Sequence, residues 1–355
     1  MIKIIKKTTV IAMTIAMVTT VFSGCSNSNR AIEKKESTKM TVTDMSGEKT
    51  QVPKNSKRIG DGWPAHNEVL CMLGYGNNVV STILTRKQEP WLYKVNPQMN
   101  ESETVFTKTD VNMESLIKTK PDIVFLPTSY NFDNKIKKVG ISVVKLNFTN
   151  FDELKSCFKL TGKILGSKSE KKADKYNKYL DNKINTVSKV TLQIPENQKL
   201  KVLHIQNIAP LTVDGSNTII DSWIKVAGGI NVASEVKGNM KEVSMEQILK
   251  WNPDVIILGA DVKDEGAFFN SSAWKNINAV KNNKIIHNPN GAFMWDRYGA
   301  EEALQIQWAA KTLYPNKFSD LDITNETIKF YKEFLNYNLT KEEAERIIKG
   351  KAPVD

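Results

Sequence analysis

Two stretches of this chain read almost alike: VNMESLIKTKPDIVFL at residues 111–126 and VSMEQILKWNPDVIIL at residues 243–258. In each copy a capping residue, Asn112 or Ser244, precedes a short helical segment with an acid in its first turn, where the helix dipole favours negative charge. Pro-Asp then ends the helix, and an uninterrupted apolar run follows, which is typical of a strand buried on both faces of a parallel sheet. This internal repeat predicts two equivalent α/β lobes, each a Rossmann-like unit with a central parallel sheet.

The segment between the two copies predicts one long helix. Ser167-Lys168-Ser169-Glu170 has the pattern of a capping box. Apolar residues follow at spacings of three and four: Ala173, Tyr176, Leu180, Ile184 and Val187. Such a helix would measure roughly 36 Å, long enough to join two lobes. We therefore predict an N-terminal lobe at residues 40–166, an interlobe helix at 167–191, and a C-terminal lobe with terminal helices at 192–355.

The first 24 residues predict a secretory signal peptide. Three lysines precede an apolar run at residues 8–22, which is shorter than the roughly 20 residues needed to span a membrane. The run closes in Ser23-Gly24-Cys25, an ending that resembles the bacterial lipobox and implies that Cys25 carries a lipid. Residues 25–39 are polar and predict a flexible tether. The predicted location is outside the cytoplasm, with the protein anchored to the cell membrane through this lipid.

Composition narrows the function classes. A chain of 355 residues with 40% hydrophobic content can form two domains, which excludes a disordered protein. The formal charge of +11 is spread along the sequence, so it indicates a solvated surface and not a nucleic-acid partner. Three cysteines without a C-x-x-C pair exclude a disulfide scaffold and a zinc ribbon. No hydrolase elbow, zinc-protease helix or phosphate-binding loop is found, so we expect no enzyme activity, no resident cofactor and no bound metal.

Candidate ligand contacts lie in loops after predicted strands, because ligands of open α/β sheets bind beyond the carboxyl ends of the strands. They are Trp63, His66, Arg86, Trp91 and Tyr130 in the first lobe, and Trp295, Arg297 and Tyr298 in the second. Arginine and aromatic side chains offer charge-assisted hydrogen bonds and stacking surface, which suits an anionic, flat or chelated ligand. Core packing by the tryptophans and an Asp296–Arg297 ion pair are the alternatives. Glu68 is either a surface acid or a further ligand contact.

The remaining histidines and cysteines favour structural roles. His204 alternates with apolar residues in a predicted strand, which indicates a core histidine. His287 ends a strand, so a free-metal site that uses His66 and His287 stays an alternative. Cys71 and Cys157 fall on apolar helix faces and are interpreted as buried thiols, although an exported chain leaves a disulfide between them open.

Together these motifs resemble a known family. The lipobox, the repeated unit, AGGINVA at residues 227–233, WKNINAVK at 274–281 and WAAK at 308–311 are similar to those of ABC-importer substrate-binding lipoproteins for iron-siderophores, haem and cobalamin, the class III periplasmic binding proteins. The likeness covers nearly all of residues 40–320. It implies two lobes bridged by one helix, a ligand in the cleft between them, and limited hinge motion in a monomer.

The resemblance also implies a cargo and a partner. One glutamate per lobe, Glu114 and Glu246 by motif, would dock onto arginines of an ABC permease dimer, whose ATPase drives release of the ligand. The alternative is that both glutamates are ordinary acids in the first turn of a helix, where they only interact with the helix dipole. The favoured cargo is a metal chelate, above all an Fe(III)-siderophore. Haem, cobalamin, a nickel or other metal chelate, and a free transition-metal ion are alternatives. An anchored metal-handling enzyme is the rival from another class.

Overall fold

The computed structural model describes residues 38–260, 262 and 269–354. The predicted signal peptide, Cys25 and the tether up to residue 37 lie outside the described residues. Residues Thr38–Asp355 form one compact unit. Within the described part of the chain, no helix combines the length and the apolar character that crossing a membrane requires.

Each lobe is built on its own sheet. The first sheet has five parallel strands in the spatial order β5-β4-β3-β6-β7, and a separate hairpin of β1 and β2 precedes it. The second has the order β11-β9-β8-β12-β13, with β10 beside β8. Their bounds are Lys39–Thr43 (β1), Lys49–Pro53 (β2), Ile59–Asp61 (β3), Val79–Thr82 (β4), Glu103–Thr104 (β5), Ile123–Pro127 (β6), Ser142–Leu146 (β7), Lys201–Ile208 (β8), Leu211–Val213 (β9), Ile230–Asn231 (β10), Lys241–Glu242 (β11), Val255–Leu258 (β12) and Ile285–His287 (β13).

The second sheet is mixed, which the sequence did not predict. Strands β8, β12 and β13 are parallel, as expected, whereas β9 runs antiparallel to β8 and β11 antiparallel to β9. The link from Ile208 to Leu211 is too short for a crossover, so β9 has to return beside β8 as a hairpin. The predicted α/β class with two lobes is otherwise confirmed.

Helices cover the sheets and connect the lobes. Their bounds are Pro64–Leu73 (α1), Pro90–Val95 (α2), Met113–Thr119 (α3), Asp133–Lys137 (α4), Phe151–Leu165 (α5), Ser167–Thr191 (α6), Ile219–Val226 (α7), Met245–Trp251 (α8), Asn278–Lys281 (α9), Glu302–Leu313 (α10), Ile323–Phe330 (α11) and Lys341–Ile348 (α12). Short 3-10 turns occupy Gly76–Asn78, Pro97–Glu101 and Glu196–Gln198, and a π-helical turn occupies Tyr331–Leu335.

The two copies of the repeat fold alike. Helices α3 and α8 begin after Asn112 and Ser244, whose side chains accept hydrogen bonds from the third helical residue. Each helix is followed by a buried strand, β6 or β12. The aspartate of each Pro-Asp pair binds backbone amides at the start of the neighbouring strand or just before it. In the first lobe, Asp122 Oδ2 accepts the amide hydrogens of Lys57 and Arg58 at 2.8 and 2.9 Å. In the second lobe the equivalent carboxylate accepts the amide hydrogen of residue 201 at 3.0 Å, so each repeat fixes the start of the neighbouring strand.

Helix α6 occupies Ser167–Thr191, a run of 25 residues between the two sheets in sequence. Its buried face includes Ala173, Tyr176, Leu180 and Val187, as the spacing predicts. The predicted capping box is wrong: Gly166 is the capping residue and no side chain caps the helix. Because Gly166 takes a positive φ of 108°, the chain turns sharply from α5 into α6 without a polar cap.

The last helices of the chain return to the first lobe. Trp91 of α2 donates its Nε1 hydrogen to the carbonyl of Lys351 at 2.9 Å. Lys94, one turn further along α2, forms an ion pair with Glu343 of α12 at 3.1 Å. The C-terminal segment therefore packs on an N-terminal helix, in addition to the connection that α6 provides.

Candidate functional site

A cavity of about 400 Å³ lies where the two lobes face each other, at the carboxyl ends of strands in both sheets. Loops after β3, β4, β5 and β6 form one wall and the loop after β13 forms the other. Its lining residues are Trp63, Pro64, Ala65, Leu84, Gln88, Glu89, Lys108, Pro127, Ser129, Tyr130, Phe293, Met294, Arg297 and Tyr298. This volume falls within the range of small-molecule sites.

The described lining residues of the cavity include two basic side chains and one acidic side chain. Lys108 is exposed at the rim and Arg297 is half-buried in the opposite wall. Glu89 is the acid among the lining residues, and it is buried. Ser129 and the tyrosines add hydroxyl groups. Among the lining residues that the structure describes, two cations, one buried acid and several hydroxyl groups are therefore present, and this excess of cations suits an anionic ligand.

Aromatic rings connect the two walls. Trp63 packs against Phe148 with ring centroids 4.9 Å apart, and Phe148 lies 6.1 Å from Tyr298 of the second lobe. Phe148 is only 1% exposed. Phe148 is not among the predicted contacts, although it follows β7 at the same sheet edge, where the strand-end rule applies. Trp63 and Tyr298 line the cavity and offer an apolar surface on which a flat or organic ligand can stack, and the buried Phe148 ring packs against both of them.

Both cavity tyrosines are neutral hydrogen-bonding groups. Burial raises the pKa of the Tyr130 phenol, and the nearby charge of Asp61 raises it further. Burial also raises the pKa of Tyr298, and Asp214 adds to the effect. Tyr298 takes a left-handed backbone conformation with φ of 51°, which is strained for a residue with a bulky side chain. Tyr298 is therefore a strained residue in the cavity wall, and strained backbone conformations are often found at functional sites.

Four of the eight predicted ligand contacts lie in this cavity: Trp63, Tyr130, Arg297 and Tyr298. Their role in binding stays a prediction. Arg86 lies elsewhere, in a shallow depression with Lys87, Lys94 and the C-terminal residues 352–354. Arg86 follows β4 as expected, but it lines this depression and not the cavity between the lobes.

His66 does not face the cavity, so its prediction as a ligand contact is wrong. Its side chain is fully buried, with Nδ1 2.9 Å from Asp61 Oδ2 and Nε2 3.0 Å from Thr161 Oγ1. Since both ring nitrogens have partners, His66 cannot supply the free-metal site that it was to share with His287. Asp61 also accepts the amide hydrogen of Trp63 at 3.1 Å, so this buried pair supports the cavity wall from behind.

Trp91 and Trp295 are core residues, which corrects the prediction that both contact the ligand. Trp91 is 1% exposed and Trp295 is fully buried. Trp91 is the second residue of α2 and turns towards the C-terminal segment, as its bond to Lys351 shows. Trp295 belongs to the buried apolar cluster that also includes Leu70 of α1 and Tyr176 of α6. The packing alternative for these tryptophans is therefore the correct one.

Three fully buried glutamates lie behind the cavity: Glu68, Glu301 and Glu302. Glu68 Oε2 accepts the amide hydrogen of Ala300 at 2.8 Å, and the hydroxyl of Tyr176 donates to the carbonyl of Ala300 at 2.7 Å. Glu68 is thus neither a surface acid nor a ligand contact. It holds α1 of the first lobe against the loop of the second, while Tyr176 of α6 binds the carbonyl of the same residue, Ala300.

Burial raises the pKa of all three glutamates. Burial raises the pKa of Glu68 well above its usual value, and the charge of Glu301 raises it further. Burial raises the pKa of Glu301 to about 7, and that of Glu302 well above its usual value. Among residues 38–260, 262 and 269–354, no group of three His, Cys, Asp or Glu side chains is arranged to hold a metal ion.

Glu114 and Glu246 occupy equivalent exposed positions in the first turns of α3 and α8. One turn further on, each helix exposes a large aliphatic residue: Ile117 is 50% exposed and Leu249 is 41% exposed. Residues three apart share a helix face, so each lobe presents an acid beside an apolar group.

Cys71 and Cys157 are free thiols. Burial raises the pKa of Cys71 to about 12 and also raises that of Cys157. The prediction of a buried thiol is confirmed for Cys157, which is fully buried, whereas Cys71 is half-buried.

Comparison with known proteins identifies the family. The family model described as periplasmic binding protein matches residues 64–292. The molybdate-binding protein MolA of Haemophilus influenzae is 31% identical over 267 residues, which cover 66% of this chain and 73% of that protein. An uncharacterized ABC transporter substrate-binding lipoprotein of Bacillus subtilis, YvrC, is 25% identical over 311 residues, covering 84% of this chain and 94% of that protein.

A solved structure supports the same assignment. The periplasmic solute binding protein from Veillonella parvula superposes with a TM-score of 0.76 at 27% identity, covering 88% of this chain and 97% of that chain. The predicted resemblance is thereby confirmed at the level of the family. The chain belongs to the periplasmic binding protein family, and it is a solute-binding protein of the ABC-transporter class and not an enzyme.

Proposed function

We propose that this protein is a lipid-anchored, extracytoplasmic receptor that captures an anionic metal complex between its lobes and delivers it to an ABC permease. The observation that carries the proposal is the cavity between the sheets, where Arg297 and Lys108 face a wall of aromatic rings. Arginine supplies charge-assisted hydrogen bonds, and the rings supply stacking surface for an organic ligand. The lipid would be carried by Cys25, consistent with the name of the Bacillus subtilis relative.

An Fe(III)-siderophore is the cargo that we favour. The cavity of about 400 Å³ is large enough for a small organic chelate. Trp63, Tyr130 and Tyr298 would contact the organic framework, and Arg297 would neutralise the charge of the complex. Haem, cobalamin and nickel chelates would use similar residue types, so the choice among chelates rests on binding measurements.

Molybdate is a second candidate, favoured by the 31% identity to the molybdate-binding protein of Haemophilus influenzae. A four-oxygen anion occupies roughly three water volumes, or about 90 Å³. The cavity is several times larger. Molybdate therefore requires the lobes to close further, or requires a larger molybdate complex as the true ligand.

Titration of the protein from residue 26 onward distinguishes these candidates. We expect a ferric hydroxamate chelate to quench tryptophan fluorescence saturably, because Trp63 lies in the cavity wall. The metal-free hydroxamate and free Ni²⁺ serve as controls and should leave the signal unchanged. Binding of molybdate alone would move the assignment to the second candidate, and a response to free metal alone would contradict an anionic cargo.

Glu114 and Glu246 would dock onto the permease, with Ile117 and Leu249 as apolar contacts beside them. Equivalent helices of the two lobes each expose a glutamate and, three residues later, an aliphatic residue, which is isoleucine in the first lobe and leucine in the second. A permease dimer offers two equivalent subunits, so a paired surface matches a paired partner. Each permease subunit would supply a basic side chain next to an apolar depression.

Uptake measurements with matched variants test this docking surface. Glu114→Ala and Glu246→Ala should keep the ligand affinity of the wild type and lower uptake, and Ile117→Ser and Leu249→Ser should do the same to a smaller degree. Leu192→Ser is the control, because Leu192 is an aliphatic residue that is 81% exposed outside both helices. Loss of ligand affinity in a glutamate variant, or equal uptake in all variants, would refute the assignment.

A further inference from the structure

A buried histidine of the second lobe lies directly behind the arginine of the cavity wall. His204 is on β8, and its ring is fully buried. Its Nδ1 lies 2.8 Å from Asp214 Oδ2 and its Nε2 lies 2.8 Å from Asp296 Oδ2. Both carboxylates are fully buried as well. Two ionised carboxylates would only accept hydrogen bonds, so in that state both ring nitrogens donate and the ring is a cation.

Both aspartates are connected to Arg297 in the cavity wall. Asp296 is followed directly by Arg297 and Tyr298. Asp214 Oδ1 accepts the amide hydrogen of Met240 at 2.9 Å, and the thioether sulfur of Met240 lies 3.3 Å from Arg297 Nη2. The contacts therefore close on themselves in a ring, which we name the His204 circuit: His204, Asp296, Arg297, Met240 and Asp214.

The charges around the circuit support a cationic His204. Burial alone would lower the pKa of His204, but the hydrogen bonds and charges of Asp214 and Asp296 outweigh burial and raise it to about 9. Burial alone would raise the pKa of Asp214, and His204 lowers it instead, with a smaller contribution from Arg297.

Two titratable groups outside the circuit lie close enough to be affected by it. They are Tyr298 and Glu302, which are affected by the charges of Asp214 and Asp296, respectively, and burial raises the pKa of both. Since two carboxylates face one imidazolium, Asp214, Asp296 and His204 together carry a net negative charge beside the Arg297 guanidinium.

We propose that His204, as an imidazolium, is a positioning residue that fixes Arg297 in the cavity wall for an anionic ligand. The proposal rests on the proposed function, in which Arg297 contacts the ligand. A preorganised cation binds more tightly because the ordering cost is met before the ligand arrives. His204 itself does not contact the ligand, since it is fully buried.

Ring nitrogen resonances test the charge state without any ligand. The chain has three histidines, so a ¹⁵N-histidine-labelled protein gives three ring systems, which His66→Gln and His287→Gln assign. We expect both nitrogens of His204 to be protonated at pH 7.5 and to stay so from pH 6 to 8. A neutral tautomer of the His204 ring at pH 7.5 would overturn the proposal.

Affinity for two probes, a ferric hydroxamate chelate and molybdate, tests the positioning role. His204→Gln should lower affinity about tenfold, because glutamine can donate to only one of the two aspartates. The double variant His204→Gln, Asp214→Asn restores both hydrogen bonds, since the glutamine oxygen can accept from the new amide, and should recover most of the loss. His287→Gln, on the same sheet, should stay within about twofold of the wild type.

The outcomes separate this proposal from the proposed function. Wild-type affinity in a folded His204→Gln protein would overturn the positioning role, and so would a double variant that folds and recovers nothing. If the wild-type protein bound neither probe, the proposed function would fail, whereas the ring resonances would still decide whether His204 is a cation.

Discussion

Replacing Glu301 with glutamine should reduce the pH dependence of stability by the contribution of this one carboxyl group. Glu301 is fully buried, and its pKa is raised from 4.5 to about 7, mainly by burial. Between these two pH values the unfolded chain has released the proton that the folded protein still holds. The folded state therefore binds more protons, and stability falls as pH rises.

The magnitude follows from the size of the shift. One pKa unit corresponds to about 1.4 kcal/mol, so a shift from 4.5 to about 7 removes about 3 kcal/mol between pH 4.5 and pH 7. Glu68 and Glu302 have raised pKa values and act in the same direction. His204 also acts in this direction, because its stabilising contribution is complete below pH 6.5 and is lost as pH rises through about 9.

Urea unfolding followed by circular dichroism at pH 5, 6, 7 and 8 measures this effect. Glutamine cannot ionise, yet its carbonyl can still accept the amide hydrogen of Phe293, which Glu301 accepts at 2.9 Å. We expect the loss of unfolding free energy from pH 5 to pH 8 to be about 3 kcal/mol smaller in Glu301→Gln than in the wild type. Glu342→Gln is the control, because Glu342 is exposed on α12. An unchanged pH dependence in Glu301→Gln, or a wild type that gains stability from pH 5 to pH 8, would refute the reasoning.

Three further predictions concern the fold. Gly215→Ala should destabilise the protein by roughly 3 kcal/mol or more in urea unfolding, since an added Cβ would lie 1.9 Å from the carbonyl oxygen of Val236; a fully stable variant would contradict this close approach. Leu180→Ala should cost about 3 kcal/mol in the same assay, because Leu180 is fully buried in α6, and a cost near zero would show that α6 is not packed as described. Cys71 and Cys157 should react with a thiol reagent slowly in the native protein and rapidly in urea, as their burial and raised pKa values require; failure of both thiols to appear in urea would indicate a disulfide.

The periodic parts of the sequence predicted the fold well. The repeat at residues 111–126 and 243–258 predicted a capped helix and a buried strand in each lobe, and both were found. The spacing of apolar residues predicted the buried face of α6. The mixed second sheet was missed because a two-residue link gives no periodic signal for the direction of the next strand.

The candidate site was predicted only in part, because sequence position does not fix where a side chain points. The strand-end rule found the loops of Trp63 and Arg297 correctly. It could not distinguish Trp295, which turns into the core, from Arg297 two residues later, which lines the cavity. His66 failed for a related reason, since its partners Asp61 and Thr161 come from different elements and bury the ring.

Long-range contacts were beyond the reach of the sequence. The bond from Glu68 to Ala300 joins residues 232 positions apart, and no local pattern marks either as a partner of the other. The same is true of the contact between Arg297 and Met240. Such contacts depend on how the lobes and loops pack, which the repeat alone does not define.

Calorimetric titration of the wild type and of Arg297→Ala, with a ferric hydroxamate chelate and with molybdate, tests the central claim most directly. The claim is that an anionic ligand binds in the cleft and is held there by Arg297. We predict saturable binding of one of these ligands to the wild type and a loss of affinity of at least about tenfold in Arg297→Ala. Equal affinity in both proteins, or no binding of either ligand to the wild type, would contradict the claim.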